Sequence, residues 1–205
     1  MLSKINTFVI RFLATFFQFF LIVLISKQNN SELLAFYFLF VAFHQVGSYA
    51  LNFGFERIAF ISISKNPSNV IDFLYQIFSE YFNVLIKHFY IYLLLFISNI
   101  YLFDISILSN ILMTICCLLF SFHLINGQSI IAANFPNLGI FFLRVFHLIS
   151  VALIFAIYNY FELEISKDTI IYSFFASTIL SLFFSFFFIK INFNKNINLN
   201  SNIKI

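Results

Sequence analysis

Long apolar runs separated by short polar clusters divide this chain. Six runs stand out, at residues 8–26, 33–55, 84–103, 105–125, 138–161 and 169–189. A helix crosses roughly 30 Å of hydrocarbon with about 20 mostly apolar residues, and each run has that length. The runs are apolar on both faces, whereas barrel strands alternate apolar and polar residues. The pattern therefore predicts six transmembrane helices in an all-α polytopic bundle. Only Asp104 lies between the third and fourth runs, which predicts a tight hairpin.

The longest connection, residues 56–83, holds a turn signal, Asn66-Pro67-Ser68-Asn69, and then a periodic stretch. Phe73, Leu74, Ile77, Phe78 and Tyr81 share one helical face, with Asp72, Gln76, Ser79, Glu80 and Asn83 opposite. This predicts an interfacial helix or the lead-in to the third span. Residues 192–205 repeat Asn, Ile and Lys without a period and are expected to form a disordered tail beyond a bundle of residues 1–191.

Composition agrees with the pattern. Of 205 residues 62% are apolar and 9% charged, and 35 are Phe. A soluble domain carries about 25% charged residues, so this chain lacks the polar surface that water demands. A cytosolic enzyme, a secreted disulfide scaffold and a nucleic-acid-binding domain are excluded. Cys116 and Cys117 are adjacent in an apolar run, a spacing that suits neither a dithiol motif nor a metal site.

The distribution of basic residues sets the expected orientation. With the N-terminus in the cytoplasm, nine Lys and Arg fall inside and two, Lys27 and Lys167, outside. That bias predicts six spans with both ends cytoplasmic. A cleaved signal peptide is the competing reading of residues 1–26, but no small-residue cleavage site follows Ile25.

Polar residues within spans are costly and therefore informative. Lys4, Arg11, Thr15 and Gln18 form one stripe on the first span, at 100° per residue. Gln45, Ser48, Tyr49, Asn52 and Glu56 form another on the second, flanked by His44 and Gly47. The fifth carries Arg144 and His147 three residues apart. These stripes fit either a water-filled cavity that attracts an anion or snorkelling and interhelical hydrogen bonding. Gln45, Ser48 and Asn52 are expected to face protein or water. His44, His123 and His147 lack metal-ligand spacing with carboxylates and read as packing histidines. Ser173, Ser177, Ser181 and Ser185 form a ridge of small residues, a device for close helix approach. No catalytic motif or phosphate cradle appears among the four glycines, so the chain reads as a non-enzyme with no cofactor and no metal.

One region resembles a known family. Leu51-Asn52-Phe53-Gly54-Phe55-Glu56-Arg57, followed by Ile58-Ala59-Phe60-Ile61-Ser62-Ile63-Ser64-Lys65, closes the second span in a Gly-x-x-Arg pattern. It is similar to the same place in bacterial oligosaccharide (O-antigen) flippases of the multidrug/oligosaccharidyl-lipid/polysaccharide exporter superfamily. The family's Gly-containing segment has no counterpart in Leu34-Ala35-Phe36-Tyr37. The resemblance implies a polyprenyl-diphosphate-linked oligosaccharide as cargo, carried across a bacterial cytoplasmic membrane. It implies a cationic cavity built from Arg11, Arg57 and Arg144, with Gln45 and Asn52 on its wall. Family members face two bundles across such a cavity, so six spans correspond to the N-terminal half, to be joined by a second six-span bundle or a second copy. The alternatives are a non-transporting assembly subunit, which the Ser ridge favours, and a small-solute permease.

Overall fold

The structure, a computed structural model, describes residues 2–193, and among them there are helices and no strands. The chain is an all-α polytopic bundle, as its apolar runs require. Five helical elements are long and apolar enough to cross a membrane: α1 (Leu2–Ser26), α2 (Ser31–Asn52), α6 (Ile107–Ala132), the run 136–160, and α9 (Lys167–Phe193). The run 136–160 comprises α7 (Pro136–Phe141), a π-helical turn (Phe142–Phe146) and α8 (His147–Tyr160). Two further helices, α4 (Val70–Lys87) and α5 (Phe89–Leu102), bent by 66° at a short break, are together apolar and long enough for a broken sixth span or a re-entrant loop. The expected tail falls mostly at residues 194–205, outside the described ones.

α1 begins earlier and α6 runs later than expected, to Ala132 rather than 125, and two further departures are breaks. The second span stops at Asn52 rather than 55, because Phe53 and Gly54 both take left-handed conformations, φ 52° and 77°. An aromatic residue rarely adopts that region, and two such residues in succession end a helix. The chain restarts as α3 (Phe55–Lys65), followed by the expected turn as a single 3₁₀ segment, Pro67–Asn69. The third span does not run straight through 84–103; it breaks at His88. The reason lies in α4. Leu74, Ile77 and Tyr81 are buried, Asp72, Gln76, Ser79, Glu80, Asn83 and Lys87 are exposed, and Tyr75, Phe82 and Ile86 form an exposed apolar flank between them.

A helix with one face on protein, one polar and one apolar flank suits the membrane–water interface. Continued straight, it would carry Lys87 and Asn83 into lipid. The bend avoids this, and α5, mostly apolar and without a charged residue, turns away from that interface. Glu80→Cys should therefore react with a membrane-impermeant maleimide, while Ile86→Cys on the apolar flank should be protected. Equal reaction at both sites would refute the interfacial placement. The native thiols, both buried, add no background.

At the centre lies α6. It packs against α9, α2, α3, α7 and α5. Lipid removes the hydrophobic drive between spans, so association rests on close packing and interhelical hydrogen bonds, on average about 0.6 kcal/mol each. Asn99 donates to Thr114 (2.9 Å), Asn126 to Ser185 (3.2 Å), and the hydroxyls of Tyr81 and Ser121 pair at 2.6 Å. The Ser ridge of α9 is fully used within the chain: Ser173, Ser177, Ser181 and Ser185 are all buried, the last two beside His123 and Asn126 of α6.

Alternation of the spans puts the start of α1, the end of α2, α3, the α6–α7 link and the end of α9 at one pole. By the basic bias that pole is expected to face the cytoplasm. A reporter fused after Glu164 should read as external and one after Asn134 as cytoplasmic; the reverse pattern would invert the topology.

Candidate functional site

α1 packs on α2 at one end only. Leu21, Leu24 and Ile25 are buried against Leu33, Phe36, Tyr37 and Phe40, whereas none of residues 6–20 is buried. Its beginning leans instead on α7, where Thr7 Oγ1 donates to Asn137 Oδ1 at 2.9 Å. α1 and α2 thus meet near their short link and diverge toward the basic pole. Between them, floored by α6 and α8, lies a cavity of about 830 Å³, within the size range of small-molecule sites.

Its wall is polar wherever the sequence stripes reach it. α1 contributes Arg11, Thr15 and Gln18; α2 contributes His44, Gln45 and Tyr49; α3 contributes Glu56; α6 contributes Gln128; the π turn and α8 contribute Arg144 and His147. Neither guanidinium has a hydrogen-bond or ion-pair partner among the described residues. The one carboxylate on the wall is Glu56, whose partial burial pushes its pKa above the ordinary value. Two delocalised cations with free donor forks, set among amides and hydroxyls, are groups that an anion could neutralise. Arg forks match carboxylate and phosphate oxygens two at a time.

Local geometry explains how Arg144 gets there. The turn Phe142–Phe146 is π-helical, a widening common at functional sites. A π turn leaves a carbonyl without its usual i+4 donor, and the ring of His123 supplies one, its Nε2 bonding Phe142 O at 3.0 Å.

Of the five residues the sequence proposed for the site, the structure brings Arg11, Gln45 and Arg144 together on the cavity wall. Asn52 and Arg57 are not part of it. Asn52 is buried and structural: its amide donates to Ser121 O at 3.0 Å, and its carbonyl accepts from Glu56 N at 3.0 Å. It ties α2 to α6 and caps the restart at α3. Asn52→Ala should therefore lower the melting temperature, by a loss of about 1–3 kcal/mol for the groups left unpaired, without changing anion affinity at the cavity. Arg57 is exposed on α3 and absent from the cavity wall; it lies about 100° around the helix from its neighbour Glu56, which does line the cavity. Ser48 is buried and bonds His44 O rather than the cavity.

Glu56, His44 and His147 also line the cavity; Glu56 and His147 belong to the polar stripes, His44 flanks one, and both histidines read from sequence as packing residues, whereas Gln128 has no such reading. Gln128 carried a signal in hindsight. It follows Phe120 and Leu124 at four-residue steps and is the polar member of that face. No protein-family model, no curated protein and no solved structure matches this chain.

Proposed function

We propose that this chain is part of a flippase that takes the diphosphate headgroup of a polyprenyl-linked oligosaccharide into the cavity between α1 and α2, in a bacterial cytoplasmic membrane. The observation that carries this reading is the pair of unpartnered guanidinium groups, Arg11 and Arg144, on separate helices facing one polar cavity. The divergence of α1 from α2 supports an amphiphilic cargo. A headgroup can occupy the cavity while its prenyl tail stays in lipid beside α1, whose residues 6–20 have no buried member. The Ser ridge no longer favours an assembly subunit, since α6 of the same chain covers it. A small-solute permease has no need of that lipid-side divergence.

The reading is tested with the chain in lipid nanodiscs. Farnesyl diphosphate should bind at least about tenfold more tightly than farnesol, the gain of one charge-assisted contact. Equal affinity would overturn it. Movement of a fluorescent polyprenyl-diphosphate glycan between leaflets is then measured with the chain alone and with a candidate second bundle.

A further inference from the structure

Three of the four histidines converge beneath the cavity from three different helices. His44 of α2 and His147 of α8 lie with parallel rings, 4° apart in plane and 6.2 Å between centroids. Both line the cavity. Phe120 sits against both, 4.7 Å from His44 and 5.5 Å from His147, and Phe174 closes the other side at 6.0 and 5.2 Å. His44 Nε2 contacts Cys116 Sγ at 3.3 Å, whereas His147 Nε2 is buried and has no hydrogen-bond partner. His123, 0% exposed, lies one layer deeper against Phe142 O and Ser181 Oγ.

An orphaned ring nitrogen, stacked on a second imidazole and boxed by phenyl rings, is an unusual fixture for packing alone. Phenyl faces attract cations, so the box suits an imidazolium once its repulsion from neighbouring cations is lifted. Among the described residues no group of three or more His, Cys, Asp or Glu is placed to hold a metal ion; a proton needs only the ring nitrogen itself. We propose that the His44–His147 pair is a proton-binding site that fills together with the anion in the cavity above it.

The coupling is electrostatic. Arg144 of the π turn precedes His147 of α8 by three residues in one helical run, and Arg11 of α1 lines the same cavity. While the cavity is empty, both cations oppose a third positive charge. An anion between the two arginines removes that opposition and attracts a proton to the imidazole pair. The other titratable groups near the pair are Tyr37 and Tyr49 from α2 and Glu56 from α3, which line the same cavity, Cys116 of α6, which contacts His44, and His123 of α6, which interacts electrostatically with both rings. α9 presents Phe174 and Thr178 and no titratable side chain. By linkage, one proton taken up with each anion makes affinity weaken by up to about tenfold per pH unit on the alkaline side. The pair titrates as a unit, so the proton belongs to both rings.

This inference rests on the cavity being an anion site, and the test separates the two. The probe is octyl sulfate, whose headgroup does not titrate near neutral pH, added to the chain in phosphatidylcholine nanodiscs with empty nanodiscs as reference. Calorimetry in two buffers of unequal ionisation enthalpy counts the protons. The measurement is made on the native chain and on Glu56→Gln, which removes the cavity carboxyl. In both, binding should take up a fraction approaching one proton, and His88→Gln, outside the cavity, should leave the uptake unchanged. His147→Gln should abolish the uptake. Absence of binding would overturn the anion reading and this inference with it. Binding without uptake, uptake lost with Glu56→Gln, or uptake that survives His147→Gln would overturn this inference alone. Should His147→Gln fail to fold, ¹⁵N-histidine spectra of the His88→Gln chain read the same site. An imidazolium signal that appears only with octyl sulfate supports the pair, and three unchanged neutral rings refute it.

Discussion

Gly139→Ala is expected to be among the most damaging single-methyl changes in this chain, lowering the melting temperature by about 5–10 °C. A Cβ at Gly139 would lie 2.4 Å from Ile131 Cγ1, 2.7 Å from the backbone oxygen of Gly127 and 3.0 Å from Ile131 N. Two of those three atoms are backbone of α6, which cannot rotate away. The helices cross here because the link between them is short: Asn134 takes a left-handed conformation, φ 70°, and Phe135 N bonds Ile130 O at 3.1 Å. Overpacking of a rigid contact costs roughly 1–3 kcal/mol and sometimes more, and a protein of this size loses about 2–4 °C for each kcal/mol.

Gly127→Ala meets a different obstacle. Its Cβ would fall 2.2 Å from Leu143 Cγ, a side chain that can swing, so a smaller loss is expected. Leu143 also lines the cavity, and its displacement should narrow the anion site. Gly47→Ala, 3.1 Å from Cys117 Sγ, should be milder still. Thermal unfolding followed by thiol exposure at Cys116 and Cys117 measures the series. A Gly139→Ala protein as stable as the native chain would mean that α6 and α7 are not in close contact.

How much of this could be read from the residues depends on what decided each feature. The spans were legible because lipid imposes a length and a uniform apolar character that no other environment demands. The face of α4 was legible because its polar and apolar residues alternate with helical period. The breaks were not. Nothing in Asn52-Phe53-Gly54-Phe55 requires two left-handed residues in succession, and Gly54 alone fits a helix as well as a turn; the stop is set by Asn52 reaching α6 and α3 at once. The bend at His88 lacks Pro or Gly altogether and follows from where two differently surfaced helices find cover.

The site was legible in part for the same reason. Arg11 and Arg144 interrupt apolar runs, and a charge in such a run needs an explanation wherever the chain folds. Gln45 followed from its stripe. Spacing gives an angle around one helix but neither a partner nor a depth. Asn52 shared the stripe of Gln45 yet found hydrogen bonds on α6, and Arg57, proposed from the resemblance alone, lies about 100° off that stripe. The histidines read as core residues, and they are core residues. Their convergence is a property of three helices and is invisible in any one of them.

The other large effect concerns the two arginines. Arg11→Gln and Arg144→Gln should each weaken farnesyl diphosphate binding by roughly 10–150-fold, the range expected when one charge-assisted hydrogen-bonding partner is withdrawn from a phosphate. Lys at either position should recover part of the loss, since it restores the charge but not the planar fork. Arg57→Gln supplies the internal control. It shares the resemblance motif and the positive charge, yet it is exposed on α3 away from the cavity wall, and its removal should leave binding within twofold or so of native.

Stability distinguishes a binding role from a structural one. Neither Arg11 nor Arg144 has a protein partner among the described residues, so their removal breaks no ion pair and leaves no counter-charge stranded. The Gln variants should melt at or above the native temperature, the behaviour of side chains kept for a ligand rather than for the fold. If instead both variants lose stability while retaining affinity, the arginines are interfacial anchors, and the anion site between α1 and α2 does not exist.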